Sequence, residues 1–195
     1  MNPEISRKLI HLFAIIIPVV SYHLSKKDTL IILGIVALGF VTVDALRLRV
    51  NPLKTVFIII FGSMLRKREL KSFTGGTYLM IASFLSALLF SKYIFLSAVS
   101  FLIVGDTFSA IIGQAFGRIK IGRKTLEGGL AGFVSCLLVV WCIHKLAYPD
   151  FPIIIGVIGA VVASAVEIMP VDINDNVVIP LSSGFFMEMV RLLLF

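Results

Sequence analysis

Charge-free runs of the chain cover residues 9–25, 29–43, 55–65, 72–91, 93–105, 128–144, 151–166 and 176–187. Seven of these eight extend into spanning helices. The exception, 55–65, would rise only about 16 Å as a helix, against a hydrocarbon core of about 30 Å. Bracketed by Lys54 and Arg66-Lys67-Arg68, it reads as a helix lying in the interface or re-entering it. The pattern predicts an all-α, polytopic membrane protein: about seven transmembrane helices plus one short interfacial or re-entrant helix, in a single integral-membrane domain over 1–195.

Composition agrees. Hydrophobic residues make up 58% of the 195 and charged residues 15%, whereas soluble chains have about half and a quarter. The run after Arg7-Lys8 lacks a small-residue cleavage site and further spans follow, so it reads as a retained first helix and not a secretory signal. The net charge of +7 comes from residues at the ends of apolar runs. Membrane orientation and anionic headgroups account for them, and no nucleic-acid partner is expected. Cys136 and Cys142 have neither disulfide nor metal spacing and read as packing residues.

Sidedness follows from lysine and arginine. With seven spans and a cytoplasmic N-terminus, 13 of the 18 basic residues fall inside and 5 outside. Making 55–65 a crossing helix turns the split into 8 and 10, which specifies no orientation. The seven-span arrangement then brings His11, Asp44, Glu69, Asp106, Glu127, Glu167, Asp172 and Asp175 to or near the cytoplasmic ends of their helices. Ionisable groups within spans are costly and are functional candidates by default. Gathered at one face, they suggest a single cytoplasmic site.

Three motifs carry chemistry. In Gly105-Asp106-x-x-Ser109-Ala110-x-x-Gly113-x-x-x-Gly117, small residues share a helical face with one acid, so a ligand or a neighbouring backbone could approach Asp106 closely. The alternative is a helix-packing face, with Asp106 satisfied by a lysine. Next, Gly117-Arg118-Ile119-Lys120-Ile121-Gly122-Arg123-Lys124-Thr125 nearly matches a P-loop, but Arg123 intervenes before Lys124 and no strand precedes it. Its four cations, its glycines and the helix start at Glu127 and Gly128 still form a plausible anion cradle. Third, Asp172-Ile173-Asn174-Asp175-Asn176 lacks the glycine and glutamate of a calcium loop, yet it could hold magnesium together with phosphates. Upstream, Gly156, Ala160, Ala163 and Glu167 line one face, again small residues leading to an acid. At the other end of the chain, Arg7, Lys8 and His11 share the first helix's inner face.

These residues together resemble the family of CTP-dependent lipid-alcohol kinases that includes dolichol kinase, phytol kinase and the CTP-dependent diacylglycerol kinase. The likeness covers almost the whole chain. It rests on Arg7-Lys8-x-x-His11, Asp44-Ala45-Leu46-Arg47, Arg68-Glu69 with Gly75-Gly76-x-Tyr78, Gly105-Asp106 with Gly113 and Phe116-Gly117, Lys124-Thr125-Leu126-Glu127-Gly128, and Asp172-x-x-Asp175-Asn176 with Pro180-Leu181. Departures are Phe108 and Ser109, where relatives often have two small residues, and Thr125, where they often have serine.

The resemblance implies transfer of the CTP γ-phosphate to the hydroxyl of a membrane lipid alcohol, a polyprenol, an isoprenoid of the phytol type or a diacylglycerol, at the cytoplasmic face. Nucleotide binding is expected over Gly105, Asp106, Gly113, Gly117, Arg118, Lys120, Arg123, Lys124, Thr125, Glu127 and Gly128. Arg123 and Lys124 would take the phosphates, and Asp106, Asp172 and Asp175 the Mg²⁺. Glu127 would orient the site and Asp175 or Asp106 would accept the hydroxyl proton, with His11 a further catalytic candidate. A cytidylyltransferase making a CDP-lipid is the rival, although no Gly-His-Gly-Gly run precedes an Asp-Arg pair here. A small transporter is the non-enzymatic alternative, and the small-residue faces could support a homodimer.

Overall fold

The computed structural model of the chain describes residues 7–8, 11–122, 124–169 and 174–194. Among them are eight apolar helices, one for each charge-free run: α1 (Phe13–His23), α2 (Lys26–Arg49), α3 (Asn51–Phe61), α4 (Gly75–Leu89), α5 (Lys92–Phe116), α6 (Leu126–Ala147), α7 (Ile153–Ile168) and α8 (Asp175–Leu194). Four of these, α2, α5, α6 and α8, are long and apolar enough to cross a membrane. The other four are shorter, so among the described residues four helices of spanning length stand where about seven were expected, and α3, with 11 residues, cannot span unaided.

Helix starts are set by local chemistry. The Ser25, Thr74 and Thr125 hydroxyls accept from the backbone N–H of Asp28, Thr77 and Gly128, each three residues on, capping α2, α4 and α6. Pro52 in the first turn of α3 pre-sets its backbone. Between α5 and α6, two two-residue strands, β1 (Lys120–Ile121) and β2 (Lys124–Thr125), pair antiparallel. Their turn uses Gly122 at φ 61°, a left-handed conformation that costs glycine little. The basic segment read as an anion cradle therefore contains a small hairpin.

α5 is the pillar of the fold. Its apolar window is 78% buried, against 22% for α2, 33% for α6 and 28% for α8, so the other helices wrap it and turn an apolar face outward. Ile35 and Leu38 of α2, Leu138 and Trp141 of α6, and Leu192 and Leu193 of α8 lie on that exposed surface. Apolar area on this scale fits lipid and not water. The core is Phe95, Val99, Phe101, Leu102 and Ile103 of α5 packed against Val140, Ile155, Ile179 and Met187. Cys136 is buried there, while Cys142 is exposed and so does not pack as expected.

The small residues of α5 meet those of α6. A Cβ on Gly105 would stand 2.8 Å from Cys136 Sγ, and one on Gly128 would stand 2.6 Å from the Ser109 carbonyl. The two backbones touch where side chains would separate them. Just before Asp106, α5 widens into a π-helical turn, Phe101–Gly105. Such turns are frequent at functional positions.

Ionisable groups sort to two poles. At one, Lys92 Nζ donates to the carbonyls of Tyr22 (2.8 Å) and Leu24 (2.6 Å). Lys26 Nζ donates to Phe90 O at 3.1 Å. There too Glu188 accepts from Ser91 N (2.9 Å) and pairs with Arg191. The other pole carries the site.

Candidate active site

Asp106 stands at the centre. It opens the α-helical stretch of α5 that follows the π-helical turn, is 6% exposed, forms an ion pair with Lys8, and has His11 Nε2 at 4.0 Å. The shared face of Lys8 and His11, legible in the sequence, is thus aimed at the acid of the central helix. Two further carboxylates converge on it. Glu167 from the end of α7 and Asp175 from the first turn of α8 each place an oxygen so that the three acids lie within 4.8 Å of one another.

Lys124, carried on β2, holds this group together. Its Nζ is 2.8 Å from Glu167 Oε1 and 3.0 Å from Asp175 Oδ2. Burial alone would lower the Lys124 pKa, but the neighbouring Glu167 and Asp175 carboxylates more than offset it and hold the ammonium above its usual range. The Ser109 hydroxyl donates to Glu167 Oε1 at 3.3 Å. Glu167 Oε2 is buried and has no hydrogen-bond partner among the described residues. Three hard oxygen donors, one with an unsatisfied buried atom, suit Mg²⁺, which binds through a few carboxylates plus phosphate oxygens.

Beside the cluster lies a cavity of about 800 Å³. Lys8, His11, Asp106 and Asp175 line its polar part, and Val36, Phe40, Val43, Phe57, Phe61 and Met80 its apolar part. Two acids that the sequence grouped with Asp106 build its wall. Asp44 Oδ2 accepts from Thr74 N (2.7 Å), Thr74 Oγ1 (3.0 Å) and Thr77 Oγ1 (2.5 Å), and Asp44 Oδ1 accepts from Arg47 Nε (2.5 Å). Arg47 continues to the carbonyls of Glu69 (3.0 Å) and Ser72 (2.8 Å), with its guanidinium 4.7 Å from the Phe57 ring centre. Glu69 accepts from Arg66 N (2.7 Å) and Gly75 N (2.9 Å). Each of these carboxylates is consumed in holding the 66–74 loop, so both are scaffold.

The expected site residues divide accordingly. Asp106, Asp175, Lys124 and His11 come together. Glu127 lies apart, accepting from Ile119 N at 3.1 and 3.3 Å and so closing the hairpin at the head of α6. Arg118 and Lys120 are exposed on that hairpin. Gly105, Gly113, Gly117 and Gly128 meet Cys136, Thr125 or the facing backbone, which is the packing alternative for that face. Thr125 caps α6. Arg123 and Asp172 lie outside the described residues. Glu167 joins Asp106 and Asp175, and Lys8 pairs with Asp106, without either having been given that place from the sequence. For Glu167, the small-residue face running from Gly156 was the available signal. For Lys8, it was the helical spacing to His11.

No protein-family model matches the chain, and no solved structure matches it. An uncharacterised protein of Rickettsia prowazekii is 26% identical over 184 residues, covering 92% of this chain and 90% of its own length. CTP-dependent diacylglycerol kinase 1 of Schizosaccharomyces pombe is 26% identical over 211 residues, covering 96% of this chain and 93% of that protein. The protein of the same name from Saccharomyces cerevisiae is 25% identical over 172 residues, covering 75% of this chain and 59% of that protein.

Proposed function

We propose that the chain transfers the γ-phosphate of CTP to the hydroxyl of a membrane lipid alcohol at the cytoplasmic face, a reading supported by its similarity, at 25–26% identity, to proteins named CTP-dependent diacylglycerol kinase 1. The observation that carries this reading is the cavity itself. Its apolar walls suit a lipid tail and its polar end presents Asp106 and Asp175 to a hydroxyl. Such a division lets a greasy substrate stay among the helices while only its reacting group meets the nucleotide.

Phosphoryl transfer depends on positioning and charge neutralisation more than on covalent help from the protein. Lys124 and Arg123 take the phosphates in this reading. Asp106, Glu167 and Asp175 would hold Mg²⁺, with Asp172 nearby in sequence. Bound there, the ion would neutralise charge on the phosphates. Lys8 pairs with Asp106 and holds it in place. One of Asp106 and Asp175 accepts the hydroxyl proton. Glu127 acts through the hairpin, fixing the strand that carries Lys124. The seven-span arrangement with 13 basic residues inside supports the cytoplasmic placement.

The test is a panel. Purified protein in detergent is given CTP or ATP with diacylglycerol, dolichol, phytol and geranylgeraniol, and phospholipid product is measured. Transfer to at least one alcohol, with CTP preferred, is expected. No transfer to any of them by folded protein sinks the reading.

A further inference from the structure

Resting on this kinase reading, we propose that Lys124 is a resident counter-ion of the acid cluster, occupying Glu167 and Asp175 until nucleotide draws it away, and that Glu167 is a metal ligand it then releases. Glu167 is 4% exposed, and one of its oxygens is bound to Lys124 while the other has no partner among the described residues. A carboxylate so removed from water needs a cation, and without one it is costly. In the described residues that cation is Lys124, supported only by the Ser109 hydroxyl.

Charge counting shows why the ammonium has to move. Asp106, Glu167 and Asp175 face Lys8 and Lys124, leaving one net negative charge among the five groups. A divalent ion entering with Lys124 in place would make the group net positive and would compete for oxygens already spent on the ammonium. If Lys124 turns to an incoming phosphate, Glu167 Oε1 and Asp175 Oδ2 become available together. Lys8 is unsuited to this exchange because it is only 7% exposed and is paired with Asp106. Lys124 is suited to it: its side chain is 27% exposed, and it rides on a two-residue strand at the surface.

Metal and nucleotide affinity are then linked, and the linkage is reciprocal. The experiment uses Mn²⁺ as the metal probe, with bound and free ion separated by electron paramagnetic resonance, on the full chain in detergent with and without CTP. Lys124→Met and Lys124→Gln should each bind Mn²⁺ about tenfold more tightly than wild type when no nucleotide is present, and CTP should then strengthen Mn²⁺ binding less than in wild type. Glu167→Gln should weaken Mn²⁺ binding under both conditions. Lys124 variants that bind nucleotide-free Mn²⁺ no more tightly than wild type, or an unaffected Glu167→Gln, would overturn the proposal. Wild-type phosphoryl transfer measured alongside separates this failure from failure of the kinase reading. A check that needs no variant is the wild-type Lys124 signal after reductive ¹³C-methylation. It should shift when CTP is added without any divalent ion, and an unmoved signal overturns the exchange.

Discussion

The ion pair between Lys8 and Asp106 allows stability and chemistry to be separated. Both side chains are nearly inaccessible, at 7% and 6% exposure for the residues. Removing one partner of a buried pair leaves the other charge uncompensated, at about 3–5 kcal/mol. Asp106→Asn and Lys8→Met should therefore each destabilise the protein by that order. The double variant leaves no orphaned charge and should recover about 1–3 kcal/mol relative to the sum of the single effects. Activity should behave differently. Losing a charged group aimed at the reacting centre of a desolvated site costs about 10²–10³-fold, and restoring charge balance without Asp106 restores none of it. The assay pairs thermal denaturation in detergent with initial rates of CTP-dependent lipid phosphorylation for all four proteins. A double variant that regains activity to within about tenfold of wild type would refute the reasoning, because Asp106 would then serve only to neutralise Lys8.

Three further outcomes follow from the geometry. Gly105→Val should push α5 from α6 through Cys136 Sγ, 2.8 Å from the new Cβ, and destabilise the protein by about 1–3 kcal/mol, with partial rescue by Cys136→Ala in a melting assay. Lys124 is held above its ordinary pKa of 10.5 by Glu167 and Asp175, so its electrostatic contribution is complete below that value and fades only as pH rises through the raised one. Lys124→Gln should therefore remove an alkaline arm from the stability profile, read as melting temperature against pH. Val43→Trp, on the apolar wall of the cavity, should raise KM for the lipid alcohol severalfold while KM for CTP stays within twofold of wild type, roughly the cost of overpacking one side chain.

Helix existence was legible because it depends on local runs. Each charge-free stretch became one helix, and 55–65 stopped short of spanning for the length reason already visible in the sequence. The convergence of acids at one pole was legible too, since it needs only the alternation of spans. Which acids meet was not. Helical spacing fixes the face a residue occupies on its own helix, while the rotation of α7 and α8 about α5 is set by packing across long sequence separations. Asp44 and Glu69 were therefore grouped with Asp106, although Thr74, Thr77 and the backbone of Arg66 and Gly75 claim their oxygens. The same ignorance of partners left Glu167, though placed at that pole, without a role. The glycines of α5 could equally have served a ligand or a helix, and the choice depended on where α6 landed.

The account stands most directly on where the label of CTP goes. Protein in detergent with an accepted lipid alcohol is given CTP labelled at either the α- or the γ-phosphate, and lipid and water-soluble products are separated. The account predicts γ-label in the lipid and α-label in released CDP. Incorporation of α-label into the lipid with release of pyrophosphate, or label in no lipid at all, would contradict it.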